Sequence, residues 1–147
     1  QIAQADDLED LYPLISAAID LKRKVVEEDE KEQGLRKVLN FGHTIGHGIE
    51  MSCGGALLHG ECVALGMLPM CQEAVAKRLL EMMKHFELPL AADFDREKAM
   101  EVIMHDKKGN NGSVTCVCVD QIGTFAFREM KYDELRAGLD RLAELIC

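Results

Sequence analysis

The chain has 147 residues, 48% of them hydrophobic, enough for one compact domain with a buried core and short for two. A formal charge of -9 argues against a nucleic-acid partner, because phosphate backbones are held by basic surfaces. No window is long and apolar enough to span a bilayer, and Gln1 to Asp10 has neither the basic start nor the apolar run of a signal peptide, so a cytoplasmic protein with no membrane partner is expected.

Taken in chain order, Leu8, Leu11, Leu14, Ile15, Ala18, Ile19, Val25 and Val26 follow a helical rhythm, with the helix proper expected to start near Pro13. The charged run Glu27 to Gly34 reads as a solvated loop. Leu39 to Met51 reads as one helix, ended by Ser52-Cys53-Gly54-Gly55. His59 to Leu80 reads as a second long helix kinked at Pro69, where a backbone donor is missing. Arg96 to Met104 is a short amphipathic helix, and Gly109-Asn110-Asn111-Gly112 is turn sequence. The alternating, β-branched and aromatic stretches Ser113 to Asp120 and Thr124 to Arg128, joined through Gly123, predict a hairpin. Leu135, Leu139, Leu142 and Ile146 predict a closing helix. The fold class is therefore mainly α, a multi-helical domain with one small β-hairpin.

Six cysteines include no Cys-x-x-Cys pair and no zinc-finger spacing, so reduced, mostly buried thiols are expected. Cys116 and Cys118 share a strand face.

Three of the five histidines, His43, His47 and His59, fall within seventeen residues. On a helix His43 and His47 are four apart and share a face, and His59 follows a glycine break that lets the chain fold back toward them. Two histidines at this spacing also occur on plain solvated or capped helix faces; with the third histidine and the flanking glycines, a metal site and such a face stand on equal terms. The zinc-protease pattern His-Glu-x-x-His does not apply, because Thr44 stands where its glutamate would be. His85 and His105 have no neighbouring ligand types and read as surface or partly buried residues.

The segment Gly34-Leu35-Arg36-x-x-Leu39-Asn40-Phe41-Gly42-His43-Thr44-Ile45-Gly46-His47-x-Ile49-Glu50 resembles the signature of the dehydroquinate synthases, a family of sugar-phosphate cyclases. Leu58-His59-Gly60-Glu61-Cys62-Val63-Ala64 with Gly66-Met67, the upstream Lys22-x-x-Val25-Val26-x-x-Asp29-Glu30-x-Glu32-x-Gly34 and the downstream Asp106-Lys107-Lys108 extend the likeness along essentially the whole chain. The resemblance implies the helical C-terminal domain of such an enzyme, with residues 1–147 supplying metal and substrate groups and an N-terminal α/β domain that binds NAD lying outside them. A chain that starts at Gln1 fits a processed protein or a piece of a longer one. Carried over by motif, His43 and His59 are ligands to a catalytic zinc or cobalt. His47 is an active-site residue facing the substrate phosphate, and Glu32 is a proton-handling or orienting carboxylate. Lys22, Arg36, Asn40 and Lys107 hold the anionic groups of a sugar-phosphate substrate. The family's third ligand, a glutamate in an Ala-Glu-x-x-Lys segment, has no counterpart in this sequence; Glu50 and Glu61 lie nearby but do not match its position. Gly48, where alanine is more usual, is expected only to loosen its helix slightly.

The implied reaction converts a seven-carbon keto-acid sugar phosphate to dehydroquinate and phosphate, in a homo-oligomer whose other partner is the chain's own N-terminal domain. The rivals are a sister cyclase of the deoxy-scyllo-inosose synthase type, a metal-dependent alcohol dehydrogenase relative and a free-standing helical interaction or metal-binding module. Arg36 and Lys22 suit a substrate carboxylate and favour the dehydroquinate reaction.

Overall fold

The computed structural model describes residues 8–31, 33–90, 93–106 and 112–146, with the backbone alone at 8–10 and 106. Two compact units follow one another along the chain, Gln1–Leu39 and Asn40–Cys147.

The first unit carries helix α1, Leu8–Glu28. The helix runs through Pro13 instead of starting there. Proline in the second turn of the described helix removes one backbone bond, back to the carbonyl of Glu9, and the helix accommodates that loss. The charged run after α1 is more organised than a plain solvated loop. The carboxylate of Asp29 accepts backbone N–H groups from Gln33 at 2.8 Å, Gly34 at 2.7 Å and Arg36 at 2.9 Å. These three bonds hold its carboxyl below the ordinary aspartate range. A 3-10 helix, Leu35–Asn40, follows.

The second unit is built around helix α2, His43–Ser52. The single helix expected from Leu39 to Met51 is thus divided at Phe41-Gly42. Gly42 has φ of 77°, a left-handed conformation that glycine adopts without strain, and a Cβ there would lie 2.5 Å from the carbonyl of Val63. Helix α3 spans His59–Met67 and helix α4 Glu73–His85. The expected kinked helix from His59 to Leu80 is therefore split. Pro69 sits in a 3-10 turn, Leu68–Met70, and Cys71 then forms a parallel bridge with Val119. The Val119 N–H donates to the Met70 carbonyl at 3.0 Å and its carbonyl accepts from Gln72 at 2.9 Å, so a distant strand end claims the backbone between the helices.

Helix α5, Arg96–Asp106, opens on Asp95, whose carboxylate accepts from the amides of Glu97 and Lys98. Strands β1, Ser113–Cys118, and β2, Ala126–Lys131, pair antiparallel from Ser113↔Lys131 to Cys118↔Ala126, as the alternation predicts. The turn expected at 109–112 lies outside the described residues except for Gly112. Helix α6, Tyr132–Ile146, closes the chain with Leu135, Leu139 and Leu142 buried. The fold class agrees with the expectation.

The core joins Ile45 and Ile49 of α2 to Leu65, Met83, Met100, Ile103, Val114 and the three α6 leucines. Of the cysteines, Cys53, Cys62, Cys116 and Cys118 are buried, reduced residues and Cys71 is a half-buried one, as composition predicts; Cys147 lies outside the described residues.

α2 packs unusually closely on both sides. A Cβ at Gly46 would stand 2.9 Å from Cα of Val63 on α3, and one at Gly48 would stand 2.9 Å from the carbonyl oxygen of Ala99 on α5. Gly48 is thus not a neutral loosening of the helix, because an alanine there would push on α5 backbone. Local helix propensity does not register this constraint, which comes from a helix about fifty residues downstream.

Candidate metal centre

α2 and α3 form a helical hairpin whose connection is Cys53 to Leu58. Gly54 and Gly55 take φ of 62° and 86° and reverse the chain. Cys53 and Cys62, at the two roots of the hairpin, lie in contact. Burial and the neighbouring Cys53 push the Cys62 thiol up to about 12. At Cys53 burial pulls the same way, but the amides of Leu57, Gly55 and Ala56 and the Cys62 thiol outweigh it and bring the value below that of an ordinary thiol. Glu61 stabilises the start of α3 by accepting the Leu58 N–H at 2.7 Å, which makes it a helix cap and fixes His59 as the first helical residue.

This hairpin brings the three histidines together. The ring centroids are 5.5 Å apart for His43 and His47, 5.6 Å for His43 and His59, and 5.7 Å for His47 and His59. The rings form a nearly equilateral triangle, His43 half-buried and the other two exposed. Two of them have a defined hydrogen-bonding partner. His43 Nδ1 lies 3.1 Å from the carbonyl oxygen of Phe41, and His59 Nδ1 lies 2.9 Å from Oε2 of Glu50. Both partners are acceptors, so each Nδ1 carries the proton, and in the neutral ring the lone pair is on Nε2. Imidazoles whose Nδ1–H is engaged and whose Nε2 is free are the donor form that binds zinc or cobalt, so the residues present fit a divalent ion of that kind.

Glu50 is the residue that sequence reasoning set aside. It shares the triangle's edge: ligand atoms of His47, Glu50 and His59 lie within 4.8 Å of one another. Its signal was the spacing 43, 47, 50, which places all three side chains on one stripe of α2.

The other sequence-derived candidates are placed as follows. Asn40 is exposed and begins the unit that carries the histidines. Lys22, exposed on α1, and Arg36 belong to the Gln1–Leu39 unit. The Arg36 guanidinium donates to the Glu30 carbonyl at 3.0 Å, so that side chain is held against the Asp29 loop. Glu32 and Lys107, with Lys108 beside it, lie outside the described residues. His85 and His105 are exposed, and His85 stacks edge-on against Phe86 at 4.9 Å.

The family model for the 3-dehydroquinate synthase C-terminal region matches residues 1–109. The chain belongs to this family. Among curated relatives, the 3-dehydroquinate synthase of Enterococcus faecalis is 39% identical over 139 residues, covering 87% of the chain and 39% of the relative. That of Streptococcus thermophilus is 37% identical over 145 residues, covering 91% and 41%. The chain therefore spans about two-fifths of the length of these relatives. A solved structure of 2-epi-5-epi-valiolone synthase from Streptomyces hygroscopicus, with NAD+ and Zn2+ bound, superposes with a TM-score of 0.76 at 23% identity, covering 97% of this chain and 42% of that one. A 2-deoxy-scyllo-inosose synthase complexed with carbaglucose-6-phosphate, NAD+ and Co2+ gives 0.76 at 20% identity, covering 88% and 41%. At those identities the superpositions speak for the fold. Among the described residues no helix is long and apolar enough to cross a membrane.

Proposed function

We propose that this chain is the metal- and substrate-binding C-terminal part of a 3-dehydroquinate synthase, which converts a seven-carbon keto-acid sugar phosphate to 3-dehydroquinate with release of phosphate. The observation that carries the reading is the imidazole triangle on the α2–α3 hairpin, with Nδ1 of His43 and His59 both engaged. His43 and His59 hold a divalent ion, zinc or cobalt, through Nε2. When bound, the ion supplies Lewis-acid polarisation of a substrate oxygen. His47, exposed beside them, donates a hydrogen bond or a proton to the substrate phosphate. Lys22, Arg36, Asn40 and Lys107 bind the phosphate and carboxylate, as ammonium and guanidinium groups suit such anions, and Glu32 orients them.

The described residues do not fit NAD: their one sheet is the antiparallel pair β1–β2, and they contain no parallel βαβ unit with a glycine-rich phosphate turn. We assign NAD to an α/β domain elsewhere in the complete protein, together with the third metal ligand. The sister cyclases of similar fold are the second reading. Relatives at 39% and 37% identity named 3-dehydroquinate synthase support the first.

Cobalt titration followed in the visible spectrum tests the metal reading. Weak binding is expected for the chain alone, abolished in His43→Ala and in His59→Ala. Binding that survives both substitutions would reject it. Phosphate release tests the reaction: turnover of the seven-carbon substrate is expected when the NAD-binding domain is supplied, with dehydroquinate as product. A different carbocycle as product would move the assignment to a sister cyclase.

A further inference from the structure

His59 is the most loosely held of the proposed ligands. It is the first residue of α3, its side chain is 52% exposed, and the covalent chain alone leaves its ring free to turn. What fixes it is a contact from the other helix, the 2.9 Å bond from Nδ1 to Oε2 of Glu50, which crosses from α3 to α2. Glu50 can reach because it stands one turn beyond His47 on the same stripe of α2.

We propose that Glu50 is a positioning residue for the metal centre, acting through His59 and not as a ligand. The proposal rests on the reading of His59 as a metal ligand. Three observations carry it. First, the carboxylate accepts, so the proton is on Nδ1 and the lone pair on Nε2, the form His59 needs in order to bind an ion. Second, the separation is that of an N–H···O bond. A tetrahedral zinc with bonds of about 2.0–2.1 Å holds its ligand atoms about 3.3 Å apart, so 2.9 Å leaves no room for an ion between these two atoms. Third, His43 has the matching arrangement, Nδ1 to the Phe41 carbonyl at 3.1 Å. Both rings thus have the same nitrogen engaged, one by the backbone two residues before it and the other by Glu50. A carboxylate is the stronger acceptor; it withdraws the Nδ1 proton partly and makes Nε2 the better donor.

The 4.8 Å grouping of His47, Glu50 and His59 offers the competing arrangement, in which Glu50 itself ligates. The two differ in what Glu50→Gln does. A glutamine oxygen still accepts from Nδ1–H and preserves the tautomer, but removes the charge.

The experiment uses the chain in four forms: wild type, Glu50→Gln, Glu50→Ala and His59→Ala, the last to assign the His59 signals. Nitrogen-15 correlation spectra at a pH where the rings are neutral report the His59 tautomer without metal. The expected result is Nδ1–H in wild type and Glu50→Gln, shifting toward Nε2–H in Glu50→Ala. An Nε2–H ring in wild type, or an unchanged tautomer in Glu50→Ala, would overturn the proposal. Cobalt titration then reads the consequence. Affinity is expected to fall about 10-fold in Glu50→Gln and up to about 100-fold in Glu50→Ala. At saturation the visible bands of Glu50→Gln should match wild type, because the ligand set is unchanged. A changed band pattern would show that Glu50 ligates and would also overturn the proposal. Cobalt binding that His59→Ala leaves intact would defeat the metal reading instead, and the tautomer result would still decide the part about Glu50.

Discussion

Replacing Gly66 by alanine should separate the two helices that form the histidine triangle. A Cβ at Gly66 would stand 2.6 Å from the Gly46 nitrogen and closer still to the Gly42 carbonyl oxygen. Both obstacles are backbone, so no rotamer change relieves them. Reaching ordinary contact near 3.4 Å requires α3 to recede from α2 by about 1 Å, in a core packed to crystal-like density. Overpacking of this kind costs about 1–3 kcal/mol, and the rigid neighbours put it at the upper end. Alanine returns up to about 1 kcal/mol of helix propensity, so the net loss is about 2 kcal/mol. With a urea slope of about 1–3 kcal/mol/M, the unfolding midpoint should drop by about 1 M. His59 lies two turns before Gly66 on the same helix, so the same displacement moves its ring relative to His43 and His47. Metal ligand distances tolerate about 0.2 Å, so cobalt affinity should collapse with it. Gly60→Ala is the control, since nothing lies within 4 Å of a Cβ there and no loss of stability is expected. Urea unfolding of the two variants, with cobalt titration alongside, decides the matter. Equal midpoints for Gly66→Ala and Gly60→Ala would refute the close-packing argument.

Other consequences are open to equally direct measurement. Asp29 is depressed in the folded chain by its three backbone donors, so its stabilisation is present above the ordinary value of 3.8 and fades as the pH falls below that, through the depressed folded value. Amide exchange at Gln33, Gly34 and Arg36 should therefore accelerate in that acid window in wild type, and should be fast and pH-flat, apart from intrinsic chemistry, in Asp29→Asn. Cys62, pushed up to about 12 by burial and by Cys53, should stay unalkylated at pH 8 in the native chain, with Cys53 labelled first of the pair; mass spectrometry after brief iodoacetamide treatment reads the order. Glu87 closes α4 at φ of 52°, with the Leu88 N–H on the Met83 carbonyl at 2.9 Å, a termination glycine usually serves. Glu87→Gly should raise stability by about 0.5–1 kcal/mol, measured by thermal unfolding.

The features legible in the sequence are those that local chemistry decides. The alternation of Ser113 to Cys118 needs a pleated, half-buried strand, and Leu135, Leu139 and Leu142 need a helix with one buried face; both were found. The histidine cluster was readable because its partners lie four and sixteen residues from His43. What local pattern could not supply was contact with distant backbone. The break at Phe41-Gly42 answers to the Val63 carbonyl, the split after Pro69 to Val119, and the small residue at Gly48 to the Ala99 carbonyl. Periodicity continues through each of these points, because apolar spacing does not register where another element's carbonyl will stand. Glu50 escaped for a different reason. Its motif position did not match a ligand, and a residue that acts on a ligand's far nitrogen is visible only when that nitrogen's partner is known.

The composition of α2 follows from the demands placed on its three sides. Ten residues contain Gly46 and Gly48, and each glycine costs about 1 kcal/mol against alanine in a helix interior. With about 100° per residue, His43, His47 and Glu50 fall within a stripe of about 60°. Ile45 and Ile49, both fully buried, face away from that stripe into the core. Gly46 and Gly48 lie on the two flanks between, and each admits a neighbouring helix to within contact of the backbone, α3 on one side and α5 on the other. A helix gripped on both flanks and anchored by two isoleucines cannot rotate, so the imidazoles on its remaining stripe are aimed by the core itself. The propensity lost at the glycines is offset by tertiary packing, which supplies most helix stability in a folded chain. It follows that substitutions at Gly46, Gly48 or Gly66, none of which touches an imidazole, should impair metal binding and folding together, whereas Glu50→Gln should impair metal binding alone.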